Sequence, residues 1–143
     1  MTVIVISGAS SKVGKTTLAR NLRRILEGAE VVKIGHGARK PGLRNHFYES
    51  GTPFQTIREN HGAATWLIVE SNSILHEMEP DLVVYLEGEN AKPSAQYAKG
   101  RADIVSARPI DKDALAALAA RLGISIELMR EIARQARADC ESP

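Results

Sequence analysis

Lys15 is the residue whose type and neighbours most directly specify chemistry in this chain. It stands in Gly8-Ala9-Ser10-Ser11-Lys12-Val13-Gly14-Lys15-Thr16-Thr17. Ala9-x-x-x-x-Gly14-Lys15-Thr16 has the frame of a Walker A phosphate loop, with Ala at its first position. In such a loop backbone N–H groups point inward and cradle a triphosphate. The helix that follows adds the positive end of its dipole. Lys15 would reach the β- and γ-phosphates, and the Thr16 hydroxyl would bind Mg²⁺. The expected nucleotide-binding residues are therefore Ala9, Ser10, Ser11, Lys12, Val13, Gly14, Lys15, Thr16 and Thr17, with ATP or GTP and Mg²⁺ as ligands. The bland alternative is a Gly-containing turn with a chance Gly-Lys-Thr. Both flanks argue against it. Thr2-Val3-Ile4-Val5-Ile6-Ser7 reads as a strand, and Leu18, Leu22, Ile25 and Leu26 recur at helical spacing.

A second candidate is Glu70, at the end of the apolar run Thr65-Trp66-Leu67-Ile68-Val69-Glu70. A carboxylate at the tip of a buried strand is what a Walker B position needs, holding Mg²⁺ opposite Thr16. The alternative is a strand-end charge facing solvent. Asp81 is the rival acid, but it begins its strand and should lie at the far end of a parallel sheet. Lys12, inside the loop, is a second cation that could neutralise charge during transfer or point into water. Lys15, Glu70 and Lys12 form the expected catalytic set, with Thr16 and Glu70 on the metal.

Residues 31–48 carry Lys33, His36, Arg39, Lys40, Arg44 and His46 without a single acidic residue. Such a window can receive an anion: a phosphorylated or carboxylated second substrate, or the γ-phosphate itself. Lys33, His36, Arg39, Lys40 and Arg44 are the expected substrate residues. A solvated basic loop is the competing account. A metal site from His36 and His46 lacks a third ligand that spacing would suggest.

These residues need a scaffold that delivers them to one edge. Helices are expected at about 16–27, 53–60, 111–122 and 125–138, with a short one near 73–79. Strands are expected at 2–7, 30–35, 65–70, 81–86 and 102–106. Residues 36–52 read as loop, and 87–101 as polar loop or short helix. Asp111 and Ser125 suit N-caps, and Gly123 a helix stop. Strands alternating with helices imply an α/β fold with a mostly parallel sheet. Ligands in such sheets sit outside the carboxyl ends of the strands. The 143-residue length makes one domain, 1–143, the expectation.

Composition removes several classes. No apolar run approaches a membrane span, and the short N-terminal apolar segment lacks a basic start, so neither membrane nor signal peptide is expected. Cys140 is the sole cysteine, which rules out an intramolecular disulfide and a Cys-rich metal centre and points to the cytoplasm. A net charge of +2 is too small to imply nucleic acid.

The sequence resembles the phosphate-loop class that includes dethiobiotin synthetase, the cobyrinic acid amidating enzymes and MobB-like adaptors of molybdopterin-guanine dinucleotide biosynthesis. Gly8 to Thr17 is similar to the first two in its Gly-x5-Gly-Lys-Thr frame, with Val13 before Gly14. Lys33, His36, Lys40-Pro41-Gly42 and Gly51 are similar to the MobB-like strand-Lys-His segment. The run ending in Glu70 resembles the strand-Glu of all three, where that Glu contacts Mg²⁺. The likeness covers about residues 1–86. Three features depart from it. Glu70 is followed by Ser71-Asn72-Ser73 and not Gly, no Asp follows the 30–35 strand, and Ser10 replaces the extra Lys of partition ATPases. No Asn-Lys-x-Asp motif selects GTP over ATP. The resemblance implies a Mg²⁺-dependent NTPase accessory protein of cofactor biosynthesis, with a partner enzyme and slow or partner-stimulated hydrolysis. A small ATP-dependent kinase or ligase, using the 33–46 window for an anionic acceptor, is the alternative. A third reading is a regulatory module that binds nucleotide without chemistry. All three leave a homodimer open.

Overall fold

The computed structural model describes residues 1–9, 14–35, 46–89, 91–107, 110–125, 127–131 and 134. Six strands form one sheet: β1 Thr2–Gly8, β2 Ala29–Gly35, β3 His46–Glu49, β4 Trp66–Glu70, β5 Leu82–Leu86 and β6 Ile104–Ser106. Their order is β3-β2-β4-β1-β5-β6, and every described pairing is parallel. Four helices connect or follow them: α1 Lys15–Ile25, α2 Phe54–Asn60, α3 Pro93–Arg101 and α4 Lys112–Leu122, with a 3₁₀ turn at Ser73–His76. The α/β architecture expected from the alternating pattern is therefore present.

Parallel crossovers are right-handed. The chain moves one way across the sheet from β1 to β2, and the other way from β3 to β4, β4 to β5 and β5 to β6. That puts α1 on one face and α2, the 3₁₀ turn and α3 on the other. Burial on both faces explains why the central strands are unbroken apolar runs. Ile4, Val5, Ile6, Leu67, Ile68 and Val69 are all fully enclosed. Truncating one of these to Ala would cost about 2–5 kcal/mol, because the cavity collapses only in part.

The amino edge of the sheet is closed by two aspartates used alike. Asp81 Oδ2 accepts from Val3 N at 2.8 Å, and Asp103 Oδ2 accepts from Val83 N at 2.8 Å. Each also donates its own N–H back to the same residue's carbonyl, Asp81 to Val3 and Asp103 to Val83. These clamps hold the strand starts in register, and they put Asp81 at the far end of the sheet from Gly8 and Lys15. α4 is punctuated as the sequence implies. Asp111 Oδ1 accepts from Ala114 N at 2.8 Å, and Gly123 ends the helix at φ 68°.

One expectation is corrected. The loop read over 36–52 contains a strand, β3, paired in parallel with β2 from Val32↔His46 to Gly35↔Glu49. It is only four residues long, His-Phe-Tyr-Glu, and its aromatic content is favourable for a sheet edge. Neighbouring glycines and a proline hide so short a signal. The alternatives for 87–101 resolve to α3, with Pro93 in the first turn where its missing N–H costs nothing. The last helix, expected over 125–138, is described only at 127–131 and 134, which are helical.

Candidate nucleotide and metal site at the carboxyl edge

β1 and β4 are neighbours, with Ile6 opposite Glu70. The chain leaving β1 at Gly8 returns into α1 at Lys15. α1 and the tip of β4 therefore meet at the carboxyl edge of the sheet. There Thr16 Oγ1 donates to Glu70 Oε1 at 2.8 Å across 54 residues of sequence. Glu70 is only 2% exposed, and its Oε2 is the one buried side-chain oxygen or nitrogen among the described residues with no hydrogen-bond partner. An enclosed carboxylate oxygen without a donor is costly. A cation at that oxygen removes the cost.

Lys33 is the residue opposite Glu70 in the β2–β4 register, so both side chains leave the sheet on the face covered by α1. The Lys15 ammonium is held below its ordinary value. Burial, which strips its water, is the main cause; Glu70 opposes the shift, and the nearby Lys33 adds to it. Two cations thus face one carboxylate here. An additional anion would relieve both the desolvation and the like-charge repulsion.

The cap residue of α1 offers the helix no side-chain acceptor. Gly14 occupies the cap position of α1 at φ 91°, with no side-chain cap and no acidic residue in the first turn. A Cβ at Gly14 would meet nothing within 4 Å, so backbone conformation and not crowding favours glycine there. The first-turn N–H groups of α1 lack the side-chain acceptor that Asp111 provides for α4.

Asn72 supplies a feature that the sequence reading missed as function. Its Oδ1 accepts from Gly8 N and its Nδ2 donates to Gly8 O, both at 3.0 Å. Ala9 N donates to Leu86 O at 3.1 Å. The departure point of the loop is thus fixed from both sides, by the segment after β4 and by the end of β5. The Ser71-Asn72-Ser73 sequence, noted only as a departure from a Glu-Gly pattern, is where this clamp resides.

Among the expected site residues, Ala9, Gly14, Lys15, Thr16, Thr17, Lys33 and Glu70 fall at this edge. Ala9 is buried, and Thr17 O accepts from Asn21 Nδ2 at 2.9 Å within α1. Ser10, Ser11, Lys12, Val13, His36, Arg39, Lys40 and Arg44 lie outside the described residues. The residues present fit a divalent cation: one hydroxyl, one buried carboxylate with an unused oxygen, and hard oxygen donors only. No described helix is long and apolar enough to cross a membrane. Comparison with protein-family models, curated proteins and solved structures finds no match.

Proposed function

We propose that this chain is a Mg²⁺-dependent nucleotide-binding phosphate-loop protein, an NTPase accessory protein of cofactor biosynthesis of the molybdopterin type, working in the cytoplasm. The observation that carries the nucleotide reading is the Thr16–Glu70 contact with the unpartnered Glu70 Oε2 beside Lys15. Thr16 and Glu70 would hold the metal. Mg²⁺, when bound, neutralises charge on the phosphates and on the buried carboxylate. Lys15 binds the β- and γ-phosphates, its desolvated ammonium meeting an anion at last. The uncapped first turn of α1 offers N–H donors to the same phosphates. Asn72 keeps Gly8 in place, so the loop springs from a fixed point. The cofactor-biosynthesis assignment rests on the resemblance of the Lys33, His36 and Lys40-Pro41-Gly42 segment alone.

A second reading is favoured by Lys33. It shares the face of Glu70 and is close enough to lower the pKa of Lys15. A kinase or ligase would use such a cation to hold an anionic acceptor next to the terminal phosphate. Calorimetry with ATP and with GTP, with and without Mg²⁺, tests the shared core of both readings. Binding that Mg²⁺ strengthens in the wild type but not in Glu70→Gln supports it. Absence of nucleotide binding by the wild type overturns it. Turnover that rises only with a small acid selects the second reading. Turnover that rises only with a partner enzyme selects the first.

A further inference from the structure

At the opposite end of the sheet, on the other face, three side chains converge that the nucleotide reading does not use. Glu30 lies near the start of β2, His46 begins β3, and His61 follows α2. Glu30 and Val32 share a face of β2, and the register sets His46 beside Val32. The end of α2 delivers His61 to that face, against Glu30, His46 and Tyr48. One ligand atom from each of Glu30, His46 and His61 lies within 4.8 Å of the other two.

The details suit a metal better than a surface cluster. His61 is 2% exposed, so its ring is held in place. Its Nδ1 is 3.1 Å from Glu30 Oε1. Two ligand atoms on a tetrahedral zinc are about 3.3 Å apart, given metal–ligand bonds of about 2.0–2.1 Å. The other ring nitrogen, Nε2, is 2.8 Å from the Tyr48 hydroxyl, which also receives Asn60 Nδ2 at 3.3 Å. Metal-bound imidazoles commonly spend their second nitrogen on such a partner, which fixes tautomer and orientation. In the tautomer with hydrogen on Nε2, that N–H donates to Tyr48 and the Nδ1 lone pair and the Glu30 carboxylate can share a cation; in the other tautomer Nδ1–H donates to Glu30, and a metal would take the place of that proton. His46 approaches edge-on, its ring centre 4.4 Å from that of His61. It is exposed, so its imidazole can swing the short distance needed.

We propose that Glu30, His46 and His61 form a site for a borderline divalent cation of the Zn²⁺, Co²⁺ or Ni²⁺ class. Two imidazoles and one carboxylate select these ions over Mg²⁺, which prefers oxygen. Three protein ligands leave a fourth position to solvent on the side of His46. The ion would tie edge strand β3 to β2 and to the end of α2. The site is separate from the carboxyl edge, and it stands whether or not the chain binds nucleotide.

The test is calorimetric titration of untagged, metal-stripped protein with ZnCl₂ in a Cys140→Ser background, which removes the one thiolate. Wild type should bind one equivalent saturably. His46→Ala, at an exposed position, and Glu30→Gln should each weaken binding by at least about tenfold, the scale at which even outer-shell changes act. Glu70→Gln should bind zinc as wild type does. Co²⁺ in place of zinc should give the strong visible absorption of a four-coordinate centre, lost in His46→Ala. Absence of saturable zinc binding in the micromolar range overturns the proposal. So does zinc affinity unchanged in both His46→Ala and Glu30→Gln, or abolished by Glu70→Gln.

Discussion

The two ends of this sheet use charged residues in opposite ways. At the amino edge each aspartate is satisfied: Asp81 clamps Val3, and Asp103 clamps Val83. At the carboxyl edge Glu70 has an oxygen with no donor, Lys15 is desolvated, Lys33 repels it, and α1 begins without a side-chain cap. The same contrast separates two helices. Asp111 caps the N-terminus of α4 with its side chain, whereas Gly14 offers α1 no side-chain cap. The two aspartate clamps have their partners, whereas Glu70 at the carboxyl edge has an oxygen without one. An edge of unmet polar groups lowers stability, and chains retain it where a ligand completes it.

The largest expected effects should come from breaking the incomplete end. Lys15→Ala removes a charge-assisted contact worth roughly 1.5–3 kcal/mol, which is about tenfold to a hundredfold in nucleotide affinity. Glu70→Gln keeps the shape and the Thr16 contact but removes the charge. It should abolish the Mg²⁺ dependence of nucleotide binding. Calorimetry with and without Mg²⁺ reads both. Equal affinity for wild type and Lys15→Ala, or Mg²⁺ dependence intact in Glu70→Gln, would remove the functional half of the contrast.

The aspartate clamps should respond in the reverse sense. Asp81→Ala leaves the Val3 N–H without its carboxylate, so unfolding stability should fall by about 1–3 kcal/mol. Nucleotide affinity should not change, because Asp81 lies at the other edge. Denaturant melts and calorimetry on the same variant decide this. A variant that melts normally but binds nucleotide poorly would place Asp81 in the wrong half.

Asn72 lies between the two cases, a satisfied residue serving the incomplete end. Asn72→Ala breaks two hydrogen bonds to Gly8. A stability loss of about 1–3 kcal/mol is expected, each bond contributing about 0.5–1.5. Nucleotide affinity should weaken severalfold as the loop loses its fixed origin. A stability loss with unchanged affinity would make Asn72 a framework residue only.

How much of this could be read from the residues depends on sequence distance. The buried strands are continuous apolar runs, so β1, β4 and β5 were legible, as were the Asp111 cap and the Gly123 stop. The meeting of Thr16 with Glu70 was legible because a parallel sheet brings the end of one strand beside the helix leaving another. Two features depend on register, which no local period encodes. The histidine pairing is one: His46 was weighed with His36, yet β3 sets it against His61 and Glu30. The other is Asn72, whose side chain substitutes for a strand partner 64 residues away. β3 itself was missed because four residues between turn formers carry too little signal.

The smallest expected effect is a pH dependence, and it tests whether Lys15 destabilises the empty protein. Lys15 titrates below its ordinary value in the folded chain, mainly through desolvation. The unfolded chain therefore binds that proton more tightly than the folded one. Below the folded value both states are charged, and the full desolvation cost is carried. As pH rises from there towards the ordinary lysine value of 10.5, the folded lysine is already neutral, and the cost fades. Lys15→Met removes the ammonium while keeping an apolar stem, so the nucleotide-free variant should be the more stable at pH 7. That advantage should shrink as pH approaches 10.5. Tyr85 acts in the opposite direction. Its phenol is buried, desolvation raises its value, and ionisation above pH 10 lowers stability in both proteins alike. The difference between wild type and Lys15→Met cancels the tyrosine's contribution, so the paired melts, and not either curve alone, are the measurement. A variant less stable than wild type at pH 7, or an advantage that does not change up to pH 10, would mean that Lys15 is at ease without a ligand. The contrast between the two edges of the sheet would then rest on Glu70 alone.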